Sequence, residues 1–328
     1  MTKQLIKTFL YQDYPNRELV ISDDSSNDSV ERVVMSFDEP SIKYYKNTEN
    51  LGYCENFLVA LERATGDYIV ALGDDDLLIK EYALSSYARI FDEHADVFFI
   101  YCNSVQITHD SKVDYLRYNF TKDTYFKKGE DAMRNIWLHS TFIPGMGLRN
   151  KIPFRELYPD HTMLFPQLEM AGHIINAHDS YGISDLLVAG RAHEGQLGFK
   201  AALGENIKGG ELLGNVENYE IFERLKKQYS LDLDDTFISV HQIRPDIEFM
   251  LKEKMFLGNK YIKPNYRRFC EVSELARRSM KLRFSYYIAL VSPKWAIGVI
   301  RFFYVKGKSF RDRDVIKQVN SDLARRVL

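Results

Sequence analysis

Over the first hundred residues the apolar positions change period at a regular cadence. In "TKQLIKTFLYQ", Leu5, Ile6, Phe9 and Leu10 recur at helical spacing, which predicts an amphipathic helix ended near Tyr14-Pro15. "RELVISDD" follows as a strand. "DSVERVVMSF" reads as a helix with Asp28 or Ser29 at its start, "SIKYYKN" as a strand, and "GYCENFLVALERATG" as a helix closed by Gly66 as C-cap. The β-branched string before Gly73 in "YIVALGDDDLL" predicts a short strand covered on both faces, and "LLIKEYALSSYARIFDEH" predicts the next helix. Strands separated by helices in this way predict an α/β fold, with a mostly parallel sheet flanked by helices and right-handed crossovers.

Two of these strands end in aspartates, Asp23-Asp24 and Asp74-Asp75-Asp76. In a parallel sheet both clusters fall at the carboxyl edge, where open α/β folds bind ligands, about a strand or two apart. Three adjacent carboxylates raise the cost of ionising one another, and a divalent cation removes that cost. Oxygen-only ligation with few protein ligands suits Mg²⁺ or Mn²⁺, with substrate phosphates completing the shell. A plainer reading stands beside it, in which the triplet is an acidic turn capping the following helix.

The remaining features narrow the class. A chain of 328 residues accommodates one large domain with appendages or two domains. Three widely spaced cysteines, Cys54, Cys102 and Cys270, give neither a disulfide framework nor a zinc spacing, which fits a reducing cytoplasm. The opening "MTKQLIKTFLYQDYPNREL" carries charges where a signal peptide needs an uninterrupted apolar core. Charge is uneven: residues 260–328 hold 17 basic against 5 acidic side chains, a balance of +12, which leaves 27 against 41, or −14, for residues 1–259. A basic tail on an acidic body either meets an anionic surface or packs as a solvated helical face. The apolar string 286–305 is interrupted by Pro293, Lys294 and Arg301, and its aromatics beside cations suit an interfacial segment better than a membrane span, with a buried helix pair as the alternative.

The combination of "QDYPNRELVISDDSSNDS" with "IKYYKNTENLGYCENFLVALERATGDYIVALGDDDLL" resembles the family 2 glycosyltransferases of the GT-A nucleotide-sugar fold, closely over about residues 1–100. The resemblance implies that Asp24, with Asp23 beside it, hydrogen-bonds the base of a nucleoside diphosphate. It places Asp74 at the ribose, Asp75 on the metal bridging the diphosphate, and Asp76 beside it as support or a further ligand. Asn50, Gly52 and Asn56 fall in the stretch that lines the nucleotide pocket; for Asn56 a helix-start role stands equally. The family often has an acid where this chain has Gly73, and its members begin with a strand that would precede the helix starting at Met1. The resemblance therefore also implies that this first strand is lacking.

As an activity, the resemblance implies a metal-dependent, inverting transfer of a sugar from a nucleoside-diphosphate sugar to a glycan or lipid-linked acceptor, in surface polysaccharide synthesis. The expected location is cytoplasmic, peripheral at the inner face of the plasma membrane through the C-terminal region, with no nucleic-acid partner. A general base on the acceptor side is expected from residues 154–191, where Glu156, Asp160, His161, Glu169 and Asp179 stand, Asp160 and His161 foremost. "FPQLEMAG" and "LLVAGR" look like the acceptor-side helix and strand, although the acidic pair usual before that helix is not intact. The Gly-rich loop 192–210, with His193 and Glu194, is expected to close over the donor. A catalytic domain is expected over 1–210 and a helical region over 211–328. Two other readings remain: a polymerase palm, whose aspartates sit in a hairpin turn between strands, and a catalytically impaired nucleotide-sugar-binding relative.

Overall fold

The computed structural model describes residues 1–108, 111–117, 119–157, 165–191, 211–233, 259–293, 295, 296 and 299. These fall into two compact units: one carries every strand, the other carries Phe165 and the helices from Glu211 onward.

In the first unit, α1 (Thr2–Leu10), β1 (Leu19–Asp23), α2 (Ser29–Val34), β2 (Ile42–Lys46) and α3 (Gly52–Arg63) occupy the predicted segments. Gly66 does not cap α3, which ends at an extended Ala64; the amide of Gly66 instead donates to the carboxylate of Glu18. After β3 (Tyr68–Ala71) comes a two-residue strand, β4 (Leu77–Leu78), and only then α4 (Ala83–Glu93). Then come β5 (Val97–Ile107), β6 (Val113–Arg117), β7 (Thr124–Phe126), α5 (Glu130–Asn135) and a 3₁₀ turn (Trp137–Thr141). β8 (Met146–Arg149), α6 (Phe154–Leu157), α7 (Pro166–Ala177) and β9 (Asp179–Arg191) complete the unit.

The sheet is mixed rather than mostly parallel. β1 and β2 pair in parallel as a two-stranded sheet, while the larger sheet runs β3-β8-β5-β9-β4, with β6 on β5 and β7 on β9. In that larger sheet only β5 and β9 are parallel neighbours. The antiparallel β8 lies between β3 and β5, a long-range insertion that local periodicity does not reveal. Among the described residues β3 pairs only with β8, which makes it an end strand, and its Tyr68 and Val70 are half-buried rather than covered on both faces. The two acidic clusters accordingly follow strands of different sheets.

The core forms where α4 lies on β5 and β9. Ala83, Tyr87, Ile90 and Phe91 present one helical stripe to Val97, Ile100, Ile183 and Val188. Strand alternation sends Leu78 into this cluster, and Leu77 with Ile79 into a second one with Val105, Ile107 and Leu186 on the opposite face. Burial of each such side chain is worth about 1.5–3 kcal/mol relative to exposure, enough to fix the short β4 against β9. That docking explains why the helix expected from Leu77 starts six residues later. α1 adds a polar clamp: Leu78 N donates to Thr8 Oγ1 (3.3 Å), Gln12 Nε2 to the Lys80 carbonyl (2.8 Å), and Leu84 N to Gln12 Oε1 (3.0 Å).

The second unit contains α8 (Glu211–Tyr229), α9 (Asn259–Val272), α10 (Glu274–Arg278) and α11 (Met280–Val291). Serine hydroxyls break the helical run 267–291: Ser273 Oγ accepts from Ala276 N (3.1 Å) and Ser279 Oγ from Leu282 N (3.0 Å). No helix among the described residues is long and apolar enough to cross a membrane.

Candidate functional site

The acidic triplet sits in the turn that carries the chain from β3 to β4. Asp76 N donates to the Gly73 carbonyl (3.2 Å), and Gly73 N returns a bond to Asp76 Oδ2. The triplet therefore does not cap α4, whose N-cap is Tyr82 and whose first turn holds no acid. Nor does it join two paired strands, since β3 bonds to β8 and β4 to β9, unlike a palm hairpin.

Burial is graded along the triplet: Asp74 is exposed, Asp75 half-buried and Asp76 buried. Burial pushes the Asp76 carboxyl well above its ordinary range, and the charges of Asp75 and Asp74 push the same way, against amide hydrogen bonds from Gly73 and Arg191. A Cβ at Gly73 would lie 2.9 Å from both Asp75 Oδ1 and Asp76 Oδ2, so a side chain at this position requires those two carboxylates to shift.

Arg191, at the end of β9, holds this turn from beneath, a role that the sequence pattern did not single out. It is buried; Nε donates to the Asp75 carbonyl (3.3 Å), one terminal nitrogen to Thr108 O (3.0 Å) and Ser111 Oγ (3.1 Å), the other to Gln4 Oε1 (2.8 Å). One cation thus ties α1, the β5–β6 turn and the acidic turn together. The available signal was an arginine terminating the apolar string "LLVAGR".

The first acidic cluster is knit into its own loop. Asp23 is buried; its Oδ2 accepts from Tyr44 OH (2.7 Å) and Lys46 Nζ (3.0 Å), and its Oδ1 from Ser25 N (2.9 Å). Burial alone would raise this carboxyl, but the bonds from Ser25, Tyr44 and Lys46 outweigh it and hold it below the usual carboxylate range. Asp24 accepts from Leu51 N (2.8 Å), Gly52 N (2.9 Å) and Asn47 Nδ2 (2.9 Å), so both its oxygens serve the start of α3. Asn50 Nδ2 reaches the Asp24 carbonyl (2.8 Å), and Asn56 Oδ1 accepts from Ser22 Oγ (2.6 Å) and Asn47 Nδ2 (2.9 Å). Arg63 closes the network on Ser22 Oγ (2.6 Å) and Asn47 Oδ1 (2.9 Å). Gly52, at φ +78°, adopts the left-handed turn into α3 that favours glycine.

On the acceptor side, Asp160, His161, His193 and Glu194 lie outside the described residues. Glu156 is exposed on α6, and Glu169 is buried in α7. Asp179 opens β9, bonded to Tyr125 OH and ion-paired with Lys127 (3.1 Å). Twelve strand steps, roughly 40 Å at about 3.3 Å each, separate it from Arg191, which sets it apart from the acidic turn. Gln167, which stands in "FPQLEMAG" but was not singled out there, joins α7 to α3: Tyr53 OH donates to its Oε1 (3.2 Å), and its Nε2 to the Thr141 carbonyl (3.3 Å).

Residues 1–157 match the model of glycosyl transferase family 2. This segment is a family 2 glycosyltransferase domain. Its sequence is 38% identical over 73 residues to WcaA of Escherichia coli K12, a protein named for colanic acid biosynthesis, covering 22% of this chain and 26% of that one. It is 31% identical over 101 residues to the GalNAc(5)-diNAcBac-PP-undecaprenol beta-1,3-glucosyltransferase of Campylobacter jejuni, covering 28% and 33%. The matched stretches thus span about a quarter and a third of those relatives. The crystal structure of S. aureus TarS 1-349 superposes with a TM-score of 0.57 at 13% identity, over 88% of this chain and 86% of that one, which speaks to the GT-A fold.

The donor set of the family 2 domain suits a hard divalent cation only as a shared site. Among the described residues no three His, Cys, Asp or Glu side chains converge on one point. Asp75 is half-buried with Asp76 buried beside it, and a cation at Asp75 would take most of its shell from phosphate and water.

Proposed function

We propose that this protein transfers a sugar from a nucleoside-diphosphate sugar to a glycan or lipid-linked acceptor, with inversion. The observation that carries the reading is the Gly73–Asp76 turn of a family 2 domain, in which Asp74 and Asp75 reach the surface over a buried Asp76. Asp75, with Asp74 beside it toward the ribose, faces the diphosphate. Asp76 acts as support, its carboxylate held by the amides of Gly73 and Arg191. Asp23, Asp24 and Asn56 shape the base side by fixing the β1–α2 loop against the start of α3. Mg²⁺ or Mn²⁺ bound there would neutralise charge developing on the leaving diphosphate.

In the transfer, the acceptor hydroxyl oxygen attacks the anomeric carbon as its bond to the diphosphate oxygen breaks. The hydroxyl proton passes to a base, for which Asp160 and His161 are proposed. The catalytic domain is assigned to 1–210, on the cytoplasmic side of a membrane that carries the acceptor. Release of nucleoside diphosphate from a panel of nucleotide sugars, with and without Mn²⁺, tests the reading. Turnover of one donor that needs the cation supports it; binding without turnover of any donor supports the impaired relative instead.

A further inference from the structure

α11 is apolar on both faces. Leu282, Ser285, Tyr286 and Ala289 are buried, and Tyr286 stacks on Tyr266 of α9 with ring centroids 4.1 Å apart. The outward side repeats at helical spacing: Met280 is 72% exposed, Phe284 63%, Tyr287 57% and Val291 80%, followed by Trp295 at 75%. Lys281 and Arg283, both exposed, flank this stripe, and an exposed apolar stripe of this kind marks an interaction surface.

The charges around the stripe narrow what covers it. From Leu275 to Arg311 the sequence holds nine Lys and Arg and no acidic residue. Beside the stripe, Lys263, Arg267 and Arg277 surround the Tyr266–Tyr286 stack in a groove of about 500 Å³, which Glu271 also lines. No carboxylate pairs with any of the three cations among the described residues. A second copy of this chain docked through the stripe by a two-fold axis would set these cations against themselves. Nucleic acid would answer the charge but leave the aliphatic and aromatic stripe wet. An anionic bilayer answers both, because aromatic and aliphatic side chains enter the headgroup and acyl boundary while flanking cations meet the phosphates. Twelve helical residues span only about 18 Å, short of a roughly 30 Å hydrocarbon core, so the helix lies in the plane of the surface.

We infer that α11 is an in-plane anchor for an anionic bilayer, its stripe of Met280, Phe284, Tyr287 and Val291 inserted and the groove around Tyr266–Tyr286 seating a lipid phosphate. The inference deepens the membrane-side part of the proposed function and rests on it. It assigns the partner to a particular face of the second unit.

The full chain is tested by co-sedimentation with phosphatidylcholine vesicles, with and without phosphatidylglycerol. Donor turnover toward a soluble acceptor is followed in parallel, and circular dichroism checks that each variant is folded. Binding is expected only with the anionic lipid and falls as salt rises. Phe284→Ser with Val291→Ser lowers vesicle affinity about tenfold, and Lys263→Gln with Arg267→Gln and Arg277→Gln lowers it by a similar factor. Soluble inorganic diphosphate, the control for a free-phosphate site, leaves vesicle binding unchanged. Equal binding to neutral vesicles, no loss in either variant, competition by diphosphate, or a dimer in ultracentrifugation abolished by Phe284→Ser with Val291→Ser would each overturn the anchor. Donor turnover stands apart: its absence in the wild-type chain counts against the transferase reading while vesicle binding still judges the anchor.

Discussion

Replacing Asp24 separates a ligand-binding carboxylate from one that holds the fold. Its oxygens accept three hydrogen bonds, two of them from Leu51 and Gly52 at the start of α3 and one from Asn47. A bond of this kind is worth about 1 kcal/mol net, more with a charged acceptor, and loss of a helix N-cap costs about 0.5–2 kcal/mol. Asp24 is only half-buried, so water recovers part of each bond when the carboxylate is removed. Asp24→Ala is therefore expected to destabilise the ligand-free protein by about 2 kcal/mol and Asp24→Asn, which keeps one acceptor oxygen, by about 1 kcal/mol. Urea unfolding without nucleotide gives both values, and amide exchange at Leu51 and Gly52 should accelerate in the alanine variant. A side chain that served only to bind a nucleoside would leave ligand-free stability untouched. An Asp24→Ala protein within about 0.5 kcal/mol of wild type would refute the anchoring role.

Asp75→Asn should abolish cation-dependent binding of a nucleoside diphosphate in calorimetry with the fold intact; unchanged affinity would remove Asp75 from the site. Gly73→Ala forces apart the carboxylates of Asp75 and Asp76, and the same titration should show at least about a tenfold weaker affinity. Asp23 titrates below its ordinary value when folded, so it adds stability above the usual carboxylate range that is lost as pH falls through the folded value. The deficit of Asp23→Asn in thermal melts should accordingly be largest near neutral pH and vanish in strong acid; a deficit constant across pH would disprove that linkage.

The segments whose periodicity is local were legible. The stripe Leu5, Ile6 and Phe9 and the strand "ELVIS" stand where the pattern put them, and the acidic turn stands at the end of its strand. What escaped depends on partners distant in sequence. Nothing near Leu77 announces that it pairs with Ala189, or that β8 will insert antiparallel between β3 and β5. Asp24 reads as an open carboxylate until Leu51 and Gly52 fold back onto it. Arg191 reads as the end of a strand until Gln4, Thr108 and the Asp75 carbonyl gather around it. Residues 267–291 read as one helix by their apolar spacing, and the breaks at Ser273 and Ser279 escaped that reading, although each serine stands three residues ahead of the amide it bonds.

The separation of β1–β2 from the larger sheet has a consequence for how the molecule opens. A two-stranded ribbon is marginal alone, and this one leans on α3 and on the hydrogen bonds spanning Ser22, Asn47, Asn56 and Arg63. β5 and β9, paired in parallel register from Val97 and Asp179 to Ile107 and Arg191, lie inside the larger sheet with neighbours on both sides. The two regions are expected on different rungs of a native-state unfolding ladder, the ribbon exchanging its amides through small local openings and the β5–β9 seam only through global unfolding. A ligand gripping the Asp23–Asp24 loop would close the lower rung without touching the upper one, so this loop is the part of the fold a ligand has most room to stiffen.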